Sequence, residues 1–238
     1  MKDDLGKRMK ENYEHRTRYL LPRRTYTIIR LDGKAFHSYT KNCKCLKPFD
    51  PELMKAMDIS AKQVCNEIQQ GVVCAYVQSD EVSVLLTDFS NPKTDAWFSG
   101  NIQKMASVSA SLMTGFFGAQ RVGFPLAFFD ARVFTIPDSV EVENYLVWRQ
   151  KDATRNSIQM AAQALFSHKE LQGKNCDALQ ELMWQKGTNW NDYSAREKRG
   201  RMILKNQTDL KSSWFLDDPP VFTQEREYLT ALIPKRSF

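Results

Sequence analysis

Alternation of apolar and polar positions defines most of this chain before any composition is counted. Residues 25 to 31, Thr-Tyr-Thr-Ile-Ile-Arg-Leu, are rich in β-branched and aromatic residues and predict a strand that stops at Asp32-Gly33. Ahead of it, residues 4 to 20 are charged throughout and predict a polar helix leading into Pro22. Asp50-Pro51-Glu52 supplies an N-cap, a proline at the first helical position and a first-turn acid. Leu53, Met57, Ala61, Val64, Cys65 and Ile68 then recur at helical spacing until Gly71 ends the run. The apolar stretches VVCAYV and VSVLL, parted by Gln78-Ser79-Asp80-Glu81, predict a hairpin. Residues 95 to 117 return to a helical period, with Trp97, Ile102, Met105, Val108, Leu112, Met113 and Phe116 on the apolar side. AFFDARVFTI, residues 127 to 136, predicts a last strand ended by Pro137.

The order strand, helix, strand, strand, helix, strand is the split β-α-β arrangement of ferredoxin-like folds, an α+β class with an antiparallel sheet and two helices on one face. Beyond Pro137 the periodicity predicts helices over 139–148, 151–167 and 176–186, a strand-like RMILK at 201–205, and a proline-containing tail. There is no repeat or low-complexity linker. We therefore divide the chain into a core, residues 1–137, and a mainly helical C-terminal part, residues 138–238, packed onto the sheet.

Composition narrows the function classes. A chain of 238 residues with 42% hydrophobic and 26% charged residues is an ordinary globular composition. No apolar run approaches the roughly 20 residues that span a bilayer. The charged N-terminus has no signal-peptide pattern, so a cytoplasmic protein without a membrane role is expected. The cysteines, Cys43, Cys45, Cys65, Cys74 and Cys176, are odd in number and scattered, which favours reduced thiols over a disulfide framework or a zinc site. The net charge of +6 is placed unevenly. Lys7, Arg8, Lys10, Arg16, Arg18, Arg23 and Arg24 crowd one end, and Arg196, Lys198, Arg199, Arg201 and Lys205 the other. Two basic clusters point to an anionic partner, nucleic acid first.

The split order makes the first and third strands central neighbours, so Asp32 at the end of one lies beside Asp80-Glu81 at the start of the other. Three carboxylates so placed repel, and a divalent cation offsets them. Oxygen ligands without neighbouring His or Cys favour magnesium, and two such ions about 3.5–4 Å apart can serve a phosphoryl or nucleotidyl transfer. The amides of Gly33, Lys34, Ala35, Phe36 and His37 can cradle a triphosphate, with Lys47 and Lys104 as counter-charges. A plainer reading makes Asp32-Gly33 a turn and Asp80-Glu81 a solvated tip. The convergence of the two motifs at one sheet edge favours the site. Asp130 is expected to pair with Arg132 or a neighbouring strand. His37 is expected to contact either a phosphate or a backbone carbonyl. Trp97, Phe116, Phe117, Phe128 and Phe129 are expected in the core.

R-L-D-G-K-A-F-H, Q-S-D-E-V-S, and F-D-A-R-V followed by Y-L-V-W-R-Q occur in an order and spacing that resemble the tRNA-His guanylyltransferase family, over about residues 5 to 205. The opening L-G-K-R-M-K-E-N-Y-E is similar to the bacterial and archaeal guanylyltransferase-like branch. The resemblance implies a polymerase-like palm with two Mg2+ ions and addition of nucleotides to a tRNA 5′ end, opposite to the usual direction of polymerases. It implies Asp32 and Asp80 as bridging ligands with the Gly33 carbonyl, and Glu81 as a third acid. It also implies the segment from Gly33 to His37 at the triphosphate, Lys47 and Ser79 at the nucleotide, and Arg30 and Lys104 on the phosphate side. Arg155, Asn156, Arg196, Lys198 and Arg199 are expected to meet RNA. Partners implied are tRNA, ATP, GTP and other NTPs, with assembly as a dimer of dimers. In the implied reaction ATP adenylylates a 5′-monophosphate end, and the 3′-hydroxyl of an incoming NTP displaces AMP; a 5′-triphosphate end loses pyrophosphate directly. Where the eukaryotic enzymes carry H-I-N-N-L-Y-N, the equivalent run reads Asp152-Ala-Thr-Arg-Asn-Ser-Ile-Gln-Met160, keeping Asn156 alone. That departure favours template-dependent repair of 5′-truncated tRNA over dedicated G addition to tRNA-His. Two further functions compete with both: a GGDEF-like nucleotidyl cyclase, and a non-catalytic RNA-binding module.

Overall fold

A computed structural model describes residues 3–206 and 213–236. Helix α1 (Asp4–Asn12) and a 3-10 turn at Glu14–Thr17 lead to strand β1 (Tyr26–Gly33), then α2 (Phe36–Asn42), α3 (Pro51–Ile68), β2 (Val72–Gln78) and β3 (Glu81–Thr87). A second 3-10 turn, Trp97–Gly100, precedes α4 (Ile102–Gln120) and β4 (Phe129–Ile136). The remainder is α5 (Ser139–Leu165), α6 (His168–Leu171), α7 (Cys176–Gln185), a 3-10 turn at Trp190–Asp192, α8 (Ala195–Arg199), β5 (Arg201–Lys205), β6 (Trp214–Asp217) and α9 (Arg226–Leu232). No described helix is long and apolar enough to cross a membrane.

The strands form one antiparallel sheet in the order β4-β1-β3-β2-β5-β6. Its first four strands reproduce the split order read from the sequence, with β1 and β3 as neighbours. The C-terminal part contributes β5, as the RMILK run suggested, and also β6, which no sequence pattern announced. Alternation sends Ile29, Leu31, Val82 and Val84 to one face, where they pack with Met57, Ala61 and Val64 of α3 and Met113 and Phe117 of α4. The opposite face, with Tyr26, Ile28, Tyr76 and Leu85, is covered by Val142, Tyr145 and Leu146 of α5. Helices thus lie on both faces, α3 and α4 on one and α5 on the other.

Several local expectations change. The helices expected at 139–148 and 151–167 are one 27-residue helix capped by Asp138, because no proline or glycine interrupts residues 149–150. The helix expected over 4–20 breaks after Asn12 and buries no residue. Asp50 caps α3 as expected, accepting from the Leu53 amide. Of the five aromatics assigned to the core, Phe117 and Phe129 are buried, Trp97 and Phe116 are partly so, and Phe128 is 55% exposed. Phe128 precedes β4, outside the alternation that buries Phe129.

Much of the basic charge is structural. Arg23 bonds Asp88, and Arg24 donates to the carbonyls of Asp88, Asn91 and Pro92. Arg201, 2% exposed, donates to Asp58 of α3 at 2.7 Å, clamping β5 to that helix.

Candidate active site

The site stands on the β1–β3 register. Asp32 pairs directly with Glu81, and the connection from β2 to β3 is only Ser79-Asp80, with Ser79 at φ 45°. Asp80 therefore lies one residue beyond the Asp32 partner. Gly33 closes the gap: its amide donates to the Asp80 carbonyl at 3.2 Å. A Cβ there would lie 2.2 Å from the Phe36 ring and 2.8 Å from Asp80 Oδ2, so only glycine fits. Burial pushes the Asp80 carboxyl up to about 6; the Ser79 hydroxyl, donating at 2.9 Å, opposes the rise, and the charges of Asp32 and Glu81 add to it.

Glu81 is used differently from the expectation of three clustered acids. Arg149 of α5 grips it as a fork, Nε to Oε1 at 2.8 Å and Nη2 to Oε2 at 2.6 Å. Burial still raises the Glu81 carboxyl above its usual range, with Arg149 opposing. The same Arg149 nitrogen donates to Asp152 at 2.8 Å, and Asp152 also accepts from Arg155 and Asn156. Glu81 is thus tied to α5, and among the described residues Asp32, Asp80 and Asp130 are left at the edge without an ion-pair partner. Asp130 forms no ion pair with Arg132 among the described residues; it sits across from Asp32 in the β1–β4 register.

These groups open on a cavity of about 390 Å³ lined by Arg30, Asp32, Ser79, Asp80, Trp148 and Arg149, among others. The Asp32 and Asp80 carboxylates present hard oxygen donors, and no closed cage of three His, Cys, Asp or Glu occurs among the described residues. That donor set fits magnesium, which keeps water ligands and takes one or two carboxylates plus phosphate oxygens. It does not fit a structural zinc.

A second cavity, about 580 Å³, shares no lining residue with it and is lined by His37, Thr40, Lys41, Lys44, Lys47 and Asp50 with further residues. The expected phosphate cradle is narrower than five amides. Gly33 N–H is spent on Asp80, and Lys34 N–H on the Phe128 carbonyl, leaving those of Ala35, Phe36 and His37 where the chain enters α2. The Phe36 side chain belongs to the core beside Tyr39, Phe117 and Phe129. The side chains of Lys34, His37 and Lys47 are exposed. The His37 ring makes no bond to a backbone carbonyl among the described residues, so that expectation is not realised.

Other candidates fall elsewhere. Lys104 begins α4 near Met105, which lines a small pocket with Leu21, Thr27 and Thr87 at the far end of the sheet. Phe117 at the other end of α4 meets Phe36, and thirteen residues of helix place Lys104 about 20 Å from that end. Arg196 is paired with Asp218. Lys198 is 9% exposed, donates to the Asn191 carbonyl and lies over Trp190. Arg199 keeps a buried Nε without a partner, and Arg155 is exposed. Sequence reading gave Arg149, Asp152 and Trp148 no site role; the Y-L-V-W-R-Q motif and the i, i+3 spacing of Arg149 and Asp152 were the available signals.

The tRNAHis guanylyltransferase family profile matches residues 6–137. A bacterial tRNA(His) guanylyltransferase-like protein solved with ATP superposes with a TM-score of 0.88 at 41% identity, covering 97% of this chain and 99% of that one. A GTP complex of such a protein gives 0.84 at 40% identity, covering 97% and 99%. The tRNA(His) guanylyltransferase of Kluyveromyces lactis is 29% identical over 199 residues, 75% of this chain and 82% of that protein. The chain belongs to the tRNAHis guanylyltransferase family, whose members are metal-dependent nucleotidyltransferases that add nucleotides to the 5′ end of tRNA in the 3′–5′ direction.

Proposed function

We propose that this protein repairs 5′-truncated tRNA by template-dependent 3′–5′ addition, rather than adding a fixed G to tRNA-His. The observation that supports this is on α5: the run from Asp152 to Met160 lacks the histidine and most of the asparagines of the eukaryotic H-I-N-N-L-Y-N run, and the Asn156 that is kept lines the acid cavity. A site without that motif leaves the choice of base to the opposing strand. The higher identity to the bacterial like-proteins than to the Kluyveromyces lactis enzyme agrees.

In this reading Asp32, Asp80 and the Gly33 carbonyl hold two Mg2+ ions. When bound, the ions offset phosphate charge and favour the attacking and leaving oxygens. The protein's own groups position the reactants. The free amides of Ala35, Phe36 and His37, with Lys47, hold the triphosphate of the incoming NTP against the acid edge. Ser79 fixes the Asp80 carboxylate through its hydroxyl. Arg149 keeps Glu81 from adding a third free charge to the cluster. Arg30 faces the phosphates of the ATP that adenylylates a 5′-monophosphate end, and Arg155 with Asn156 meets the RNA. The 3′-hydroxyl of the bound NTP then displaces AMP from the activated end, or pyrophosphate from a triphosphate end.

The test supplies ATP, magnesium, all four NTPs and a tRNA lacking its first 5′ nucleotide, with the opposing base varied. The expected product is one nucleotide longer and matched to that base. Addition of G whatever the opposing base would refute the repair reading. Asp32→Ala should abolish addition and keep tRNA binding.

A further inference from the structure

The β1–β4 register sets Arg30 directly opposite Arg132. Like charges at directly opposed positions destabilise an antiparallel pair unless something between them is negative. Neither arginine has an ion-pair partner among the described residues, and Arg30 Nε is buried without a hydrogen bond. One step toward the strand end on the same face stand Asp32 and Asp130. An anion between the arginines would therefore lie beside the acids.

Trp148 adjoins the Arg30 member of this pair. It is 53% exposed and lines the acid cavity with Arg30, Asp32 and Asp80. The Arg149 guanidinium, fixed by Glu81 and Asp152, lies 4.4 Å from its ring centroid, and that of Arg30 lies 6.0 Å away. Tyr145 meets it edge-on at 5.9 Å. An aromatic ring held by its neighbours yet half open, beside unpaired cations, has the composition of a stacking platform for nucleotides.

We propose that Trp148, Arg30 and Arg132 form a nucleotide subsite separate from the lysine-lined cavity, with Trp148 stacking a nucleobase and the two arginines holding its 5′ phosphates. The proposal rests on the nucleotidyl-transfer reading of the site. The occupant is a nucleoside 5′-phosphate, either free ATP or the 5′-terminal nucleotide of the RNA. Stacking reads no base identity, which suits an enzyme that accepts different RNA ends.

The experiment compares Trp148→Ala, Trp148→Phe and Arg132→Ala with wild type on 5′-monophosphate tRNA with ATP, and on 5′-triphosphate tRNA without it. Both residues are solvent-exposed, and unchanged urea midpoints establish that the variants fold. Both alanine variants should lower kcat/KM on the order of tenfold, with Trp148→Phe retaining most activity. Loss confined to the monophosphate substrate, through a higher KM for ATP, makes ATP the occupant; loss on both substrates makes it the RNA end. Wild-type rates in both alanine variants, or equal damage from phenylalanine and alanine, would overturn the subsite. If the wild type extends no RNA, the catalytic reading fails on its own, and fluorescence still reads the subsite. Tryptophan quenching by ATP with Ca2+, or by a 5′-phosphorylated oligonucleotide, should then vanish in Trp148→Phe; quenching that persists, or none in the wild type, would refute it.

Discussion

Replacing Asp80 with asparagine should stabilise the metal-free protein while destroying its activity. The carboxyl is pushed from an ordinary 3.8 up to about 6, chiefly by burial and further by Asp32 and Glu81. A carboxyl whose folded pKa exceeds its unfolded one favours the fold most below the unfolded value, and that preference is lost as pH rises through the folded value. The gap between 3.8 and about 6 is worth about 3 kcal/mol once both states are ionised. Partial solvent access makes that figure an upper bound. Asparagine carries no charge and still offers an oxygen to the Ser79 hydroxyl. Asp80→Asn should therefore gain up to about 3 kcal/mol at pH 8, about half of that at pH 5, and little at pH 4. Urea denaturation in EDTA across this range measures it. With Asp80 as a magnesium ligand, as proposed, added magnesium should then reverse the ranking, because the ion would stabilise the folded wild type more than the variant. A gain that does not grow between pH 5 and pH 8, or a loss at pH 8, would refute the electrostatic account of this edge.

Arg149→Ala should cost about 3–5 kcal/mol in urea melts, because it strands the buried Glu81 carboxylate, and should slow addition at temperatures where the variant remains folded. Arg149→Lys should recover only part of both losses, since an ammonium cannot replace the fork; full recovery would show that charge alone matters. On the strand that flanks β2, Arg201→Ala should cost a similar amount by leaving Asp58 buried and unpaired, whereas the double change Asp58→Leu with Arg201→Met should recover most of it. Equal losses in the single and double variants would mean that the ion pair is not what clamps β5 to α3.

The acid edge was legible because it depends on two short-range facts and one topological rule. A strand ending in Asp32 and a hairpin tip holding Asp80-Glu81 can be read locally, and the split order then brings them together. What the order could not supply is the partner of Glu81. Arg149 reaches it only because α5 crosses the second face of the sheet, a choice made by packing among Tyr145, Leu146 and the strand residues below. Lys104 shows the converse failure. Its position on a helix was readable, but the helix direction relative to the acids was not, and it lies at the far end. Lys198 resembled one more surface cation until its ammonium was seen donating to a backbone carbonyl over Trp190. β6 escaped notice for a related reason: an edge strand is defined by the partner it pairs with more than by its own period.

Strand alternation organises the whole second face into successive rows across β4, β1 and β3. Phe134, Ile28 and Leu85 form an apolar row under α5; Arg132, Arg30 and Ser83 come next; Asp130, Asp32 and Glu81 form the last row at the edge. Cations thus stand one step behind acids without meeting them within the strand pairs. Metal charge arriving at the edge and phosphate charge arriving behind it would find opposite signs waiting. This order also fixes the register. A slip of one residue between β1 and β3 would carry the side chains of one strand to the wrong face, placing Asp32 or Glu81 among Leu31 and Val82 in the layer packed by α3 and α4. The cost of burying a carboxylate there far exceeds that of any turn rearrangement. The acids at the proposed site therefore help to specify the sheet that holds them.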